Sequence, residues 1–312
     1  MGLDKTFIIL GAPRSGSTLL FRLLSQHKDL WHLVAESHKI LEGPLHPTLF
    51  TSFSNRPENL FMKEEDIDNL RRNFYRKAVN YAYLSKLKRY IDVYEGKGAR
   101  FFQRIAGELI GTGSLPLKST SISFLEKTPK NAVRVKAIET IFPDSKYLVL
   151  ERDAISNIRS LYFGWRASEN TKRRGRFNKS GYPIMTDLEL QDFSGKYWTF
   201  ILPPNWKKLK NKTLLDVCFF QYYATNYWLK RDLEEIPSDR KIYVSYKRLV
   251  GNSIDEINYL LGNLNLDVDK YDYTIATKMP RINNVQVKQE DKKVITKMIH
   301  EKMKTFDINE YL

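Results

Sequence analysis

Residues 11–18 have the composition of a phosphate-binding loop. They follow the pattern G-x-x-x-x-G-x-T and lead into a helical pattern of leucines. Backbone N–H groups at a glycine turn that opens a helix bind an anion together with the helix dipole. The side chains and the glycine of this loop that are suited to hold such an anion are Arg14, Ser15, Gly16, Ser17 and Thr18.

The loop lacks the lysine that a P-loop carries after its second glycine, where this chain has Ser17. In P-loop kinases and NTPases that lysine reaches the transferred phosphoryl group. We also find no aspartate cluster suited to Mg²⁺ and expect no bound metal. A P-loop-type kinase therefore remains only as an alternative. Arg14 supplies a positive charge from inside the loop.

A second group of anion-binding side chains follows the apolar run at residues 147–150. Arg152 comes directly after this run, and Ser160 follows eight positions later. An arginine at a strand end offers two parallel hydrogen bonds to a phosphate, and a serine two turns into the next helix adds a hydroxyl donor. This pattern predicts a second phosphate site.

The two motifs together resemble those of PAPS-dependent sulfotransferases. Residues 12–20 resemble the loop that binds the 5′-phosphosulfate of 3′-phosphoadenosine 5′-phosphosulfate (PAPS). Residues 148–160 are similar to the strand and helix that hold its 3′-phosphate. Two weaker matches, at residues 126–131 and 244–249, resemble motifs of the bacterial and tyrosylprotein-like branch, although Lys247 replaces the usual glutamate.

The resemblance implies sulfuryl transfer from PAPS, as co-substrate, to an acceptor hydroxyl, without a metal. It implies that Lys127 contacts the transferring group and that Arg14 shares this catalytic work. The cofactor contacts that it implies are Arg14, Ser15, Gly16, Ser17, Thr18, Arg152 and Ser160, with looser matches at Tyr246 and Arg281.

Glu36 is our candidate for the general base that deprotonates the acceptor. The tyrosylprotein and heparan branches of the family place a glutamate one short segment after the first helix, where this chain has Glu36. We expect partial burial to raise the pKa of this carboxyl toward neutrality. His38 and Glu42 are rival candidates for the base. A histidine is considered because the cytosolic aryl branch of the family uses one.

The elements that must position these residues alternate along the chain. Apolar strand patterns at residues 7–10, 147–150 and 241–246 are each followed by a helical pattern. Such alternation predicts an α/β fold with a central parallel sheet flanked by helices, here of the P-loop-like nucleotide-binding kind. We expect one domain over residues 1–312. Residues 166–212 interrupt it as a loop-rich insertion.

The formal net charge of +15 points to anionic ligands or surroundings. Residues 166–212 hold eleven lysines or arginines against four acidic residues. We interpret this insertion as a mobile acceptor lid, with a charged group at Lys172, Arg173, Arg174 and Arg176.

The aromatic residues of this insertion leave open a non-enzymatic polyanion or nucleic-acid binder as an alternative. These residues are Phe177, Tyr182, Tyr197, Trp198 and Trp206. For an enzyme we expect no nucleic-acid partner, but a carbohydrate, glycolipid or small-metabolite acceptor. A single cysteine and the lack of a long apolar run predict a cytoplasmic protein without a transmembrane segment.

Overall fold

The computed structural model describes residues 2–33, 35–58, 60–91, 121–169, 181–278 and 287–312. Their strands are β1 (Gly2–Leu10), β2 (Leu30–His32), β3 (Ser121–Lys127), β4 (Lys146–Glu151) and β5 (Lys241–Ser245). Their α-helices are α1 (Ser17–Leu24), α2 (His38–Leu41), α3 (Glu64–Ile91), α4 (Val135–Ile141), α5 (Ala154–Glu169), α6 (Leu214–Leu233), α7 (Tyr246–Gly251), α8 (Ser253–Asn263), α9 (Thr274–Lys278) and α10 (Gln289–Met303).

The strands form one parallel sheet in the order β2-β3-β1-β4-β5. The central strand, β1, pairs with β3 and β4, so that Ile9 lies opposite Lys127 on one side and Leu148 on the other. Because parallel strands end at the same edge, the segments that follow all five strands meet there. In open α/β sheets this edge is where ligands bind.

Helices cover both faces of the sheet, as the apolar strand runs predict. Successive side chains of a strand point to opposite faces. Phe7 and Ile9 pack in a core with the leucines of α1 and with α8. Ile8 and Leu10 pack in a second core with α3 and α4. The prediction of a central parallel sheet flanked by helices is confirmed.

A third core joins α5, α6 and α10 to the segment 181–212. The helix α6 begins directly after Thr213, because Thr213 and Asp216 form a reciprocal capping box. Within the described residues, no helix is long and apolar enough to cross a membrane.

The described part of the predicted insertion corrects two expectations. Residues 166–169 continue α5 and are not loop. Tyr182, Trp198 and Trp206 are buried in the third core, where their apolar rings are sheltered from water, and are thus not available to stack on a polyanion or a sugar. The charged group at 172–176 lies outside the described residues.

Candidate active site

The loop between β1 and α1 is shaped by Gly16. Its backbone φ of 107° lies in the left-handed region that favours glycine, and a Cβ atom there would lie 2.5 Å from the ring of Tyr246. The helix α1 begins at the next residue, Ser17. The N–H groups of its first turn therefore open onto the carboxyl edge of the sheet, as an anion-binding loop requires.

Arg14 joins this loop to α5. Its Nε donates to Ser160 Oγ at 3.2 Å, and Arg152 Nη1 donates to the Arg14 carbonyl oxygen at 2.8 Å. Arg14 itself has a φ of 69°, which is uncommon for a residue with a side chain. The structure thus brings the loop residue Arg14 into contact with Arg152 and Ser160, the two residues that the sequence assigns to a second phosphate site.

Tyr246 lies between the loop and Arg152. One part of its ring packs on Gly16, and the Arg152 guanidinium lies 4.3 Å from the ring centroid. An aromatic face attracts a guanidinium through its quadrupole. In this structure Tyr246 therefore positions Arg152.

The Arg14 and Arg152 guanidinium groups create a local excess of positive charge. Burial lowers the pKa of both groups, and the charge of Arg152 adds to the effect on Arg14. Among the described residues, neither group forms an ion pair with a carboxylate. Two desolvated cations without a counter-ion favour binding of an anion.

Two buried donors at this position fit a phosphorylated ligand. Ser15 Oγ and Arg152 Nε are buried and have no hydrogen-bond partner among the residues that the structure describes. A buried polar atom without a partner loses the free energy of its hydrogen bonds to water. A phosphate or sulfate oxygen bound at the loop would supply the missing acceptors, so the residues present suit a nucleotide with anionic groups.

Lys127 and Glu36 meet on the other side of the loop. Lys127 ends β3, and its Nζ donates to Glu36 Oε1 at 2.6 Å and to Thr18 Oγ1 at 3.3 Å. The second carboxylate oxygen of Glu36 accepts a hydrogen bond from His38 Nε2 at 2.8 Å. Three of the four side chains that the sequence assigns to catalysis, all but Arg14, therefore form one hydrogen-bonded group beside the phosphate loop.

The ionisation of Glu36 differs from the expectation. Burial raises the pKa of this carboxyl, but the His38 hydrogen bond and the charge and hydrogen bond of Lys127 outweigh it and lower the pKa to about 2. The expected upward shift is wrong for this state of the site. Glu36 is an ionised carboxylate held between two donors.

Glu42, a rival candidate for the base, is engaged in a separate buried cluster. Its Oε1 accepts from Lys130 Nζ at 3.2 Å and Arg134 Nη2 at 3.0 Å, and its Oε2 accepts from Tyr182 Oη at 2.9 Å. Burial raises the pKa of Glu42, but Arg134 and Lys130 outweigh it and lower the pKa overall. Among the described residues, Glu42 forms no hydrogen bond to Lys127 or to the phosphate loop, so it lies outside the candidate catalytic group. Its Oε1 lies 3.9 Å from His38 Nδ1.

A further buried network, around Ser37 next to Glu36 in the sequence, was not predicted. The Glu126 side chain is 2% exposed, and its Oε1 accepts from Ser37 Oγ at 2.6 Å and from Asn131 Nδ2 at 3.2 Å. Thr128 Oγ1 accepts from the Ser37 N–H at 2.8 Å. These bonds fix the residue between Glu36 and His38 to the end of β3. Glu126 and Thr128 flank Lys127 in the sequence, but their spacing gave no signal of this contact.

The site residues follow the order of the strands along the sheet edge. Glu36 and His38 follow β2, Lys127 ends β3, the loop follows β1, Arg152 follows β4 and Tyr246 follows β5. Arg281, a predicted cofactor contact, lies outside the described residues. The group suited to proton transfer therefore lies at the ends of β2 and β3. The group suited to phosphate binding lies next to it, at the ends of β1, β4 and β5.

Comparison with known proteins identifies a family for this chain. The family model described as "Sulfotransferase family" matches residues 6–219, more than half of the chain. No curated protein matches the chain.

Solved structures similar to this chain include bacterial sulfotransferases. Sulfotransferase STF9 from Mycobacterium avium is 14% identical with a TM-score of 0.45, and the match covers 99% of this chain and 78% of that one. A sulfotransferase from Alicyclobacillus acidocaldarius is 12% identical with a TM-score of 0.44, and the match covers 96% of this chain and 92% of that one. By the extent of the family match, the chain belongs to the sulfotransferase family.

Proposed function

We propose that this sulfotransferase uses PAPS as its sulfuryl donor and transfers the group to an acceptor hydroxyl. The observation that carries the proposal is the convergence of Arg14, Arg152 and Ser160 at the mouth of a phosphate loop that lacks the P-loop lysine. A P-loop enzyme that transfers phosphoryl groups from ATP uses that lysine. A sulfotransferase instead needs a site for a nucleotide that carries a second, separate phosphate.

The loop and its neighbours hold the donor in this proposal. The N–H groups of the first turn of α1, with Ser15, Ser17 and Thr18, bind the 5′-phosphosulfate. Arg152 and Ser160 bind the 3′-phosphate, and Tyr246 keeps the Arg152 guanidinium in place. Arg281 remains a proposed contact from the sequence alone. PAPS supplies the sulfuryl group, whose sulfur forms a bond to the acceptor oxygen while its bond to the 5′-phosphate oxygen breaks.

Lys127 and Arg14 stabilise the negative charge that develops on the leaving 5′-phosphate oxygen. Lys127 Nζ is already within hydrogen-bond distance of Thr18 Oγ1, a loop side chain. Lysine suits this role because its ammonium is a compact charge on a flexible stem. Fixed cations in a site that excludes water stabilise developing charge strongly.

Glu36 takes the acceptor proton. Lys127 and His38 lower the pKa of Glu36, which makes its carboxylate a weak base. A move of Lys127 toward the donor would remove one hydrogen bond and one nearby charge from Glu36 and raise the pKa of its carboxyl. His38 keeps its hydrogen bond to Glu36 Oε2 and orients the carboxylate. His38 is the alternative base.

The acceptor that we favour is a carbohydrate, glycolipid or small-metabolite hydroxyl, and the cytoplasm is the compartment that we propose. Labelled PAPS incubated with pooled acceptors of these classes tests the proposal directly. We expect a labelled product whose formation requires Lys127, so that the Lys127→Ala variant forms little of it. Product formation from ATP but not from PAPS would contradict the proposal.

A further inference from the structure

Phe200 has a backbone conformation that a bulky residue rarely adopts. Its φ is 69°, in the left-handed region. Such strained residues persist only where the surrounding structure imposes them, and they cluster at functional sites. Phe200 is also only partly buried, although it follows the buried Trp198 and precedes the buried Ile201.

The conformation of Phe200 is imposed by the buried amide of Gln221. Its Nε2 donates to the carbonyl oxygens on either side of Phe200, that of Thr199 at 2.8 Å and that of Ile201 at 2.7 Å. Gln221 Oε1 in turn accepts from Trp165 Nε1 at 2.7 Å. Both carbonyls are therefore fixed from within the third core. The Phe200 ring itself packs edge-on against Trp165, with the ring centroids 6.3 Å apart.

The tip of the Phe200 ring rests on α5, the helix that carries Ser160. It also lies beside Arg14 of the phosphate loop. A Cβ atom at Gly164 would lie 2.8 Å from Phe200 Cζ and 3.8 Å from Arg14 Nε. Gly164 is one helical turn after Ser160, on the same face of α5. A side chain at this position would displace the ring, and glycine allows the ring to rest on the helix.

The chain segment that contains Phe200 is also connected, through Leu202, to residues near the proposed base. Leu202 N–H donates to Asn55 Oδ1 at 2.7 Å, and Asn55 Nδ2 donates to Tyr182 Oη at 2.7 Å. Tyr182 Oη donates to Glu42, whose Oε1 lies 3.9 Å from His38 Nδ1. The segment around Phe200 thus contacts α5 through the Phe200 ring and reaches the Glu42 cluster, next to His38, through Leu202, Asn55 and Tyr182. In the proposed function the acceptor lies between the donor, beside α5, and the base.

We propose that Phe200 binds the acceptor and selects one whose hydroxyl is carried on a ring. A fixed aromatic surface stacks on the face of a flat aromatic ring or on the C–H face of a pyranose, and it gives little selectivity for a flexible chain. This inference rests on the proposed function, and it adds the class of acceptor to it.

The test measures binding of three acceptor probes to the protein loaded with 3′-phosphoadenosine 5′-phosphate (PAP). The probes are 2-naphthol, methyl β-D-glucopyranoside and 1-hexanol, with saturation-transfer NMR as the readout. Of the two ring probes, one tests an aromatic acceptor and one a sugar. We expect at least one of them to bind. Its dissociation constant should rise about tenfold in Phe200→Leu, which keeps apolar bulk but loses the ring.

Two more variants separate the ring from the backbone. Phe200→Gly removes the ring and relieves the left-handed strain, so we expect it to fold and to lose the ring probe as Phe200→Leu does. Gly164→Ala should have the same effect because its Cβ displaces the ring. Gly262→Ala is the matched control, since a Cβ there meets nothing within 4 Å, and it should leave probe binding unchanged.

The outcomes separate this inference from the proposed function. Failure of the unsubstituted protein to bind PAP would overturn the proposed function. If PAP binds normally, three results overturn the role of Phe200 alone. These are a loss of PAP affinity in Phe200→Gly, an equal loss of 1-hexanol and ring probes in Phe200→Leu, and no binding of either ring probe to the unsubstituted protein.

Discussion

Arg14 Nε donates to Ser160 Oγ at 3.2 Å across 146 positions of sequence. This bond closes the phosphate loop onto the helix that follows β4, so that the two sequence motifs form one site. Arg152 reinforces the closure through the Arg14 carbonyl. Anion-binding groups that follow the two neighbouring strands β1 and β4 thereby lie together at the edge of the sheet.

Arg152→Ala should weaken PAP binding by about 1.5–3 kcal/mol, the range for hydrogen bonds to a charged group. The protein should stay folded, because Arg152 lies at the sheet edge and forms no ion pair with a described carboxylate. Calorimetric titration with PAP checks this, and Arg22→Ala, which removes an exposed arginine of α1, is the control. Equal affinities in Arg152→Ala and Arg22→Ala would remove Arg152 from the site.

Glu36→Gln should lower turnover by about 10² to 10⁴, the usual contribution of a positioned base, and leave PAP affinity nearly unchanged. Glutamine keeps the shape of the side chain and loses its basicity. Steady-state kinetics and PAP titration of the same variant measure the two effects. Retained turnover in Glu36→Gln together with its loss in His38→Ala would assign the base to His38.

The pH dependence of the reaction tests the state of Glu36 in the free protein. A carboxylate accepts a proton from substrate only above its own pKa, which is about 2 here. The kcat/KM for PAPS, which reports the free enzyme, should therefore show no acid limb from Glu36 between pH 7 and about pH 5. In the complex with PAPS, Lys127 faces the donor and the pKa of Glu36 rises. The acid limb of kcat should therefore lie at a higher pH than that of kcat/KM. An acid limb of kcat/KM near pH 6 that His38→Ala abolishes would contradict Glu36 as the base.

Lys127→Ala should lower kcat by about 10² to 10³, as expected when one donor to a developing charge is removed. Lys127→Arg keeps the charge and should restore part of the rate. Single-turnover measurements with PAPS separate this step from product release. A rate in Lys127→Ala within about twofold of the parent would exclude Lys127 from the chemistry.

Glu126→Gln should change the pH dependence of stability. Burial raises the pKa of Glu126, even though bonds from Ser37 and Thr128 oppose the shift. A carboxyl with a raised folded-state pKa contributes stability below its unfolded value of about 4.3, and this contribution is lost as pH rises through the folded-state value. Glutamine mimics the protonated form at every pH. In urea unfolding, the free energy of unfolding of Glu126→Gln should therefore rise relative to that of the parent from pH 4 to pH 7. A difference between the two proteins that does not change with pH would contradict a raised pKa of Glu126.

The sheet and the site were largely predictable because the chemistry requires given residue types at strand ends. Gly16 and Arg152 are identified by their place after an apolar run, and Lys127 by its resemblance to a family motif. The lowered pKa of Glu36 was not predictable, because the sequence does not show that Lys127 and His38 both point at one carboxylate. The misinterpretation of Tyr182, Trp198 and Trp206 has a similar cause, since composition does not show which side of a loop faces the core.

Phe200 illustrates a feature that sequence patterns cannot reveal. Its conformation depends on Gln221 and its ring position on Gly164, and both lie on helices distant in the sequence. Only the folded arrangement brings these three residues together.

The most direct test of the account compares PAP with adenosine 5′-monophosphate by calorimetric titration of the unsubstituted protein. The two ligands differ only in the 3′-phosphate, which Arg152 and Ser160 are proposed to bind. Two hydrogen bonds to a charged group predict that PAP binds at least about a hundredfold more tightly. Equal affinities for the two nucleotides would contradict the proposed 3′-phosphate site and with it the use of PAPS.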